Sequence, residues 1–405
     1  MKIRSITCFI NPGYPIDKDE ITKAGAFIKT ARQQFTRAGF EVQTVRLATP
    51  PFPTLLPNLS RKTCLDFAQE LETLTAEQGF GYAAIGPALP SHPDSYRVIP
   101  DILKATQNVF ASAIIADRKS GIILPAIRSC AKIMHENALI EPHGFGNLYF
   151  AALANVPPGA PFFPAAYHQG KTMAFALAIE GADVAVDALQ TAGGLQEASD
   201  KLIAAIERHT GIMTKTGNTL EKSGHAKFLG IDFSLAPFPD AGTSLGTAME
   251  ALGLPAVGLH GSLMASAFFT DAIGKARFPK TGFNGLMLPL LEDAILAQRA
   301  KEGILSVKDL LMYSAVCGTG LDTIPIPGDT TTGQIEAVLL DLSALALRLD
   351  KPLTARLMPI PGKHAGEETT FDFPFFANSR VLDIQAKPLR GFLASQENLH
   401  IARRN

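Results

Sequence analysis

Apolar positions along this chain switch repeatedly between a period of two and a helical period, which predicts alternating strands and helices. The run SITCFINPG is typical of a strand, and Asp17 to Gly39 carries apolar residues at helical spacing before EVQTVRLA returns to strand character. Further strands are predicted at GYAAIGP, SAIIAD, NLYFAALAN, TMAFALAIE, KFLGIDFSLAP, FNGLMLPLL, LDTIPIP and TARLMPIP, most of them followed by a helical segment. The pattern indicates an α/β fold with a largely parallel sheet.

The number of predicted strands bears on the architecture. About ten strands are more than an open twisted sheet usually holds, so a closed α/β barrel is favoured. Proline clusters at Pro50–Pro57 and Val156–Pro164 are filled with apolar residues, which is typical of rigid loops rather than of domain linkers. We therefore expect residues 1–405 to form a single domain.

Composition and charge narrow the range of partners. The chain has 405 residues, 46% hydrophobic and 19% charged, and its formal net charge of -1 offers no basic face for nucleic acid or an anionic membrane. No apolar stretch reaches the roughly 20 residues of a membrane span. The four cysteines form no C-x-x-C pair, and no G-x-G-x-x-G fingerprint follows a strand. We expect a soluble, cytoplasmic protein that binds a small molecule and uses no nucleotide cofactor.

The stretch from Ser314 to Lys363 concentrates ionisable side chains at strand ends and turns. Asp322 lies near the start of LDTIPIP, where apolar surroundings make an unpaired carboxylate costly and favour a cationic partner. Arg356 lies in the next predicted strand, within reach of Asp322 if the two strands pair in parallel. Lys363 follows in a glycine-flanked turn that suits a phosphate or carboxylate. Arg356 and Lys363 are candidate substrate-binding residues, with a structural salt bridge and a solvated loop lysine as the alternatives.

Three aspartates are candidate ligands of a hard divalent cation such as Mg²⁺ or Ca²⁺. Asp329 lies in the turn before an amphipathic run, where it either caps the helix or shares a ligand or metal role with Asp322. Asp232 lies in KFLGIDFSLAP with Ser234 on the same face, so this pair lines a cleft or forms a polar stripe at the sheet edge. Asn155 has a similar position at the end of NLYFAALAN and is, with Ser234, a candidate substrate-binding residue.

One thiol and two imidazoles are further candidate catalytic groups beside Asp322. His168 and His260 each come where a predicted strand ends, and each is by type a general acid/base or a metal ligand. Neither belongs to an H-x-x-x-H or H-E-x-x-H motif, and structural hydrogen bonding is the alternative. Cys317 precedes a Gly-Thr-Gly turn at a predicted helix end. Nucleophilic catalysis would require a partner that lowers the pKa of this thiol, and a small buried thiol is the alternative.

Several ordered motifs carry a resemblance to a known family. ANVPPGAPFFPAAYH, DFSLAPFPDAGTSLGTAMEALG, GLHGSL, and VCGTGLDTIPIPGDT followed by IPGKHAG resemble the family known as domain of unknown function 711, from about Arg128 to Ile384. RSITCFINPG is similar to the opening strand of that family. The resemblance implies a homodimer and a fold similar to the ten-stranded α/β barrel of pyruvate formate-lyase and anaerobic ribonucleotide reductase. It brings no established reaction.

The candidate residues favour an enzyme that acts on a small anionic metabolite inside the barrel. The aspartates would hold a divalent cation or act as acid/base groups, Arg356 and Lys363 would bind the anion, and one of the histidines would shuttle a proton. Hydrolase or lyase chemistry suits this set. Two alternatives stay open, a ligand-sensing or scaffold protein without turnover and cysteine-dependent catalysis through Cys317.

Overall fold

One sheet of eleven strands runs through the computed structural model of the protein, which describes residues 1–224 and 226–404. The strands are β1 (Lys2–Phe9), β2 (Val42–Ala48), β3 (Tyr82–Ala88), β4 (Val109–Asp117), β5 (Gly121–Ile123), β6 (Phe150–Ala154), β7 (Ala174–Glu180), β8 (Lys227–Ala236), β9 (Gly320–Pro327), β10 (Leu353–Ile360) and β11 (Asn398–Leu399). The sequence pattern predicts all of these except β5 and β11, which are the two shortest strands.

The sheet is mixed in direction, so the expectation of a mostly parallel sheet is wrong. Its strand order is β8-β7-β1-β2-β3-β4-β6-β10-β9, with β5 pairing β4 and β11. Parallel pairing joins β1, β2, β3, β4 and β6, whereas β7 is antiparallel to β1 and β10 is antiparallel to β6. Because β8 is parallel to β7 and β9 to β10, these outer strands also run against the central ones. The N-terminal ends of the central strands therefore meet the C-terminal ends of the outer strands at one edge.

Helices connect most of the strands. They are α1 (Lys18–Arg37), α2 (Arg61–Glu77), α3 (Asp94–Arg97), α4 (Ile99–Ala105), α5 (Leu124–Asn137), α6 (Ala182–Gln190), α7 (Leu195–Gly224), α8 (Leu245–Ala251), α9 (Ser262–Lys275), α10 (Ala294–Lys301), α11 (Val307–Tyr313) and α12 (Thr332–Arg348). In α1, Asp17 caps the first turn and buried residues recur at helical spacing from Ile21 to Phe35, so sequence and structure agree. None of the described helices is both long and apolar enough to cross a membrane.

The two faces of the sheet are covered differently. Strand residues such as Leu47 pack against the helices in the largest apolar cluster. The residues that alternate with them, such as Ala48, pack instead against Phe163 of the irregular segment 156–167. Polar side chains on this second face thus meet loop segments rather than tightly packed helices, and that is where a cavity forms.

The stretch FNGLMLPLL, predicted as a strand, is irregular in the structure. Residues 279–289 run between the outer strands β8 and β9 and make a single β-bridge to each. Gly282 and Asn284 have φ angles of 75° and 48°, and these left-handed conformations interrupt an extended path. The stretch ends in one 3₁₀ turn at Leu290–Glu292, which brings Glu292 to the sheet.

Helix α12 is capped by Thr331 and not by Asp329, so the predicted capping role of Asp329 is wrong. Thr331 Oγ1 accepts from the Gln334 amide at 3.4 Å, and the Gln334 side chain accepts from the Thr331 amide at 2.9 Å. Asp329 comes too early in the chain for this geometry, because the helix begins only at Thr332. Its carboxylate is exposed and lies 3.3 Å from His364.

Replacing Thr331 with alanine is expected to lower the free energy of unfolding by about 1 kcal/mol, because the Gln334 amide in the first turn of α12 loses its acceptor. Asp329→Ala removes only an exposed ion pair and should change stability by less than about 0.5 kcal/mol. Urea denaturation of the two variants measures both values. An effect of Asp329→Ala that equals or exceeds that of Thr331→Ala would contradict this assignment of the cap.

Candidate functional site

A cavity of about 410 Å³ lies at the sheet edge where the two groups of strands meet. Its wall includes the N-terminal ends of β1 to β4, the C-terminal ends of β7 and β8, and the middle of β10. Concave sites of this size commonly bind small ligands. Three arginines, Arg4, Arg46 and Arg356, line it together with the carboxylates of Asp232 and Glu292.

Two of these arginines belong to a chain of ion pairs. Arg356 Nε donates to Asp322 Oδ1 at 2.5 Å, and Arg356 Nη2 donates to Glu292 Oε1 at 3.0 Å. Glu292 also pairs with Arg4, whose guanidinium lies 3.3 Å from Glu180. Burial alone would lower the pKa of Arg356, but the carboxylates of Asp322 and Glu292 outweigh burial and raise this pKa. These ion pairs link β9, β10, β1 and β7, and their carboxylates neutralise both arginines.

Arg46 is different, because no described carboxylate lies within salt-bridge distance of it. Arg46 Nε donates to Thr44 Oγ1 at 3.0 Å, and the guanidinium carbon lies 5.8 Å and 5.1 Å from the ring centres of Tyr82 and Phe163. Burial and the nearby charge of Arg4 lower the pKa of Arg46 to about 9. The guanidinium is therefore still charged at neutral pH, is poorly solvated, and keeps unused donors on its two terminal nitrogens. Such a group is suited to binding an anion.

Asp232 and Ser234 lie on β8 and line the same cavity. The Asp232 carboxylate accepts from the amides of Phe283 and Asn284 at 2.9 and 3.1 Å, and the Ser234 hydroxyl also donates to it. Burial raises the pKa of Asp232, against the opposing effect of these three donors. Leu235, next to Ser234, has a φ of 47°, and backbone strain of this kind is concentrated at functional sites.

Gly282 allows the segment 279–289 to approach Asp232. Its φ is +75°, and a Cβ atom at this position would overlap Asp232 Oδ2. Gly282→Ala is therefore expected to destabilise the protein by about 3 kcal/mol, since overlap adds to the backbone cost. Gly79→Ala is the matched control, because Gly79 has a φ of +83° and a Cβ atom added there would meet nothing within 4 Å.

The Gly79→Ala variant should lose only about 1 kcal/mol, the cost of the backbone conformation alone. Urea denaturation of both variants gives the comparison. If Gly282→Ala is no more destabilising than Gly79→Ala, Asp232 does not fix this segment.

Residues 371–376 form an aromatic strap along one side of the cavity. Phe373 and Phe375 line the cavity, and their ring centres are 5.3 Å apart. The strap is anchored beside the ion-pair chain, because the Ala377 amide donates to the Leu291 carbonyl at 2.6 Å. Phe375 is 38% exposed, so its ring lies between the cavity and solvent.

Three of the predicted site residues, Arg356, Asp232 and Ser234, line this cavity. The predicted approach of Arg356 to Asp322 across paired parallel strands is confirmed. Asp322 does not line the cavity but lies behind Arg356, where its Oδ2 atom is buried without a partner among the described residues. Thr323, the next residue, has a φ of 46°, which is unusual for a β-branched side chain. Asp322 is thus placed to orient Arg356.

Other predicted site residues lie outside the cavity: Asp329, Lys363, His260, His168 and Asn155. Lys363 is half-buried in the turn after β10, and His260 is exposed before α9. Asn155 Nδ2 donates to Asp350 at 3.4 Å, and the His168 amide donates to Thr49 at 2.9 Å. Asn155 and His168 thus lie at the carboxyl ends of β6 and β2, which is the edge of the sheet opposite the cavity. Burial lowers the pKa of His168 and keeps its imidazole neutral.

Cys317 is buried outside the cavity, in the turn that follows α11. Burial raises the pKa of its thiol, and the positive charge of Lys351 opposes this effect. Lys351 Nζ donates to the carbonyls of Ser314, at 2.9 Å, and of Cys317, so its ammonium group holds the turn together. These contacts are typical of a neutral, structural thiol.

The fold separates the three aspartates that the sequence suggests as metal ligands. Asp232 lines the cavity, Asp322 lies behind Arg356, and Asp329 is exposed before α12. Within residues 1–224 and 226–404, no three His, Cys, Asp or Glu side chains gather as a group that could hold a metal ion. The Asp232 and Asp322 carboxylates are instead engaged by protein donors.

Sequence reasoning missed Arg4, Arg46 and Glu292. A signal for Arg46 was present, because alternation in EVQTVRLA places Arg46 and Thr44 on the face opposite Leu47. Glu292 gave no such signal, since its position depends on the irregular segment that precedes it.

The fold and cavity define the class of protein, a mixed α/β protein with an arginine-lined cavity at the edge of its sheet. The family described as Uncharacterised ACR (DUF711) matches residues 1–378. A UPF0210 protein of Pyrobaculum islandicum is 32% identical over 347 residues, covering 82% of this chain and 76% of the relative. UPF0210 proteins of Pyrobaculum aerophilum and Lactobacillus delbrueckii subsp. bulgaricus are 34% and 30% identical, covering 82% and 86% of this chain and 76% and 81% of the relatives. The chain belongs to the DUF711 family, as its motifs predict.

Proposed function

We propose that this protein binds a small anionic metabolite in the cavity and transforms it by acid/base chemistry. The observation that carries the proposal is Arg46, a poorly solvated cation with unused donors and no described carboxylate partner. Leaving such a charge uncompensated is costly, and a ligand carboxylate or phosphate removes that cost while gaining charge-assisted hydrogen bonds. Arg4 and Arg356 are each already paired with carboxylates, so Arg46 is the arginine left to bind the ligand.

The acid/base group we assign is Asp232, acting through Ser234. Its raised pKa makes the Asp232 carboxylate a stronger base than an exposed aspartate. The Ser234 hydroxyl, which donates to Asp232, is positioned to pass a proton between this carboxylate and a bound molecule. Proton transfer of this kind serves hydrolase or lyase reactions, the classes that the sequence favours.

The proposal also includes the barrel and homodimer implied by the family resemblance. Support for a barrel is that residues 279–289 make one bridge to each outer strand, β8 and β9, and would close the sheet on itself. The cavity would then be the barrel interior of a single domain. Such an interior is lined by one face of every strand, in agreement with the different coverage of the two faces.

A ligand-sensing protein without turnover is the second candidate function. The observation that favours it is the saturation of Asp232, whose carboxylate already accepts from two amides and one hydroxyl. An acid/base group with this many protein partners has few lone pairs left for a substrate.

The test begins with the molecule that accompanies the purified protein. Native mass spectrometry of the wild type should show a bound small anion, Arg46→Gln should lose it, and Arg97→Gln, whose side chain is 84% exposed on α3, should keep it. Retention of the same anion by Arg46→Gln would contradict the binding site.

Turnover of the released anion by the wild type, followed by NMR, separates the two candidates. Ser234→Ala should bind the anion with little change and reduce kcat by about 100-fold. If the wild type binds the anion and converts none of it, the sensing function is the correct one.

A further inference from the structure

We propose that the ligand is an amphipathic monocarboxylate, with its single carboxylate on Arg46 and a ring-sized apolar body against the aromatic strap. The inference rests on the proposed function and names the class of molecule that the site selects. It is carried by three features: the free donors of the Arg46 guanidinium, the pairing of the other cations, and the aromatic walls.

The guanidinium of Arg46 is held so that a planar anion fits it best. Its Cζ atom lies 5.8 and 5.1 Å from the ring centres of Tyr82 and Phe163, and its Nε atom donates to Thr44. The terminal nitrogens Nη1 and Nη2 keep the free donors, and together they form the fork that a carboxylate accepts in two parallel hydrogen bonds. The Phe110 ring packs edge to face against Tyr82 and Phe163, with ring centres 5.4 and 5.3 Å apart. This packing holds in place the two rings that contact the Arg46 guanidinium.

The cavity can compensate one negative charge on a ligand and disfavours ligands that carry more than one. The other cations in its wall already have carboxylate partners, with Lys2 3.3 Å from Glu41 and both Arg4 and Arg356 bound to Glu292. Arg46 is the cation left without one in the part of the chain that the structure describes. A second ligand charge would find no free cation and would be repelled by Glu292, whose charge also acts on Arg46.

Most of the remaining wall is apolar, and the cavity is too large for a minimal anion. At about 30 Å³ for each water, 410 Å³ corresponds to roughly fourteen water molecules, more than acetate or phosphate displaces. The aromatic residues in the wall include Phe238, Phe373 and Phe375. Burying a ring against these side chains is favourable, whereas a second polar group there would lose its hydration.

The test is isothermal titration of the full chain at neutral pH with 3-phenylpropionate, acetate, inorganic phosphate and citrate. The wild type should bind 3-phenylpropionate at least about tenfold more tightly than acetate, phosphate or citrate. Phe375→Ala should weaken the affinity for 3-phenylpropionate by about fivefold and leave the affinity for acetate unchanged. Phe392→Ala, which removes a ring that is 94% exposed, should change neither.

The outcomes distinguish this inference from the proposed function. Tighter, Arg46-dependent binding of phosphate or citrate would overturn the monocarboxylate class while leaving the anion site in place. Equal affinities for acetate and 3-phenylpropionate, or no effect of Phe375→Ala, would overturn the apolar contact with the strap. Binding of none of the four probes in an Arg46-dependent manner would overturn the proposed function itself.

Discussion

Arg46→Gln is expected to weaken anion binding strongly with almost no loss of stability. The affinity for a monocarboxylate should fall by about 100-fold, because two charge-assisted hydrogen bonds are lost. The free energy of unfolding should stay within about 1 kcal/mol of the wild-type value. Removing a poorly solvated cation is favourable, and this gain offsets the lost contacts with Tyr82 and Phe163.

Titration calorimetry and urea denaturation of ligand-free protein measure the two quantities. Arg46→Lys is the informative control, since it keeps the charge but loses the fork and should recover only part of the affinity. A loss of more than about 3 kcal/mol of stability in Arg46→Gln would show that Arg46 is a structural residue with protein partners.

Arg356→Met, in contrast to Arg46→Gln, is expected to destabilise the protein by about 3 to 5 kcal/mol. Arg356 is buried between Asp322 and Glu292, and its removal leaves the Asp322 carboxylate buried without a cation. The methionine retains much of the apolar volume, so the loss reports mainly on the uncompensated charge. Urea denaturation at neutral pH gives the value.

A double variant checks the cause of that loss. Arg356→Met combined with Asp322→Asn removes the stranded charge and should recover at least about 1 kcal/mol relative to Arg356→Met alone. If the effects of the two substitutions on the free energy of unfolding are additive, Arg356 and Asp322 do not pair directly. Together, the Arg46 and Arg356 variants distinguish an arginine that binds a ligand from an arginine that stabilises the fold.

Local periodicity was enough to locate most of the sheet. Nine of the ten predicted strands are present, because alternation and punctuation by proline and glycine depend on nearby residues. The direction of β7 and β10 was not predictable in this way, since pairing partners far apart in sequence decide it. The prediction of a strand at FNGLMLPLL was wrong, because its apolar pattern is strand-like while Gly282 and Asn284 turn the backbone.

The candidate site was predicted in part, and for a physical reason. Asp322 and Arg356 lie on neighbouring strands, so parallel pairing predicted their contact. Asn155 and His168 were candidates because each comes where a predicted strand ends, and the carboxyl ends of strands carry the ligand sites of parallel α/β folds. The cavity lies at the N-terminal ends of the central strands, so Asn155 and His168 lie at the opposite edge of the sheet.

The central claim is that Arg46 holds the carboxylate of a ligand in this cavity. A crystal structure of the protein with bound 3-phenylpropionate tests it most directly. We predict both carboxylate oxygens at about 2.8 Å from the terminal nitrogens of Arg46, with the ring against Phe373 and Phe375. A probe bound elsewhere, for example at Lys363, with the Arg46 cavity empty, would contradict the claim.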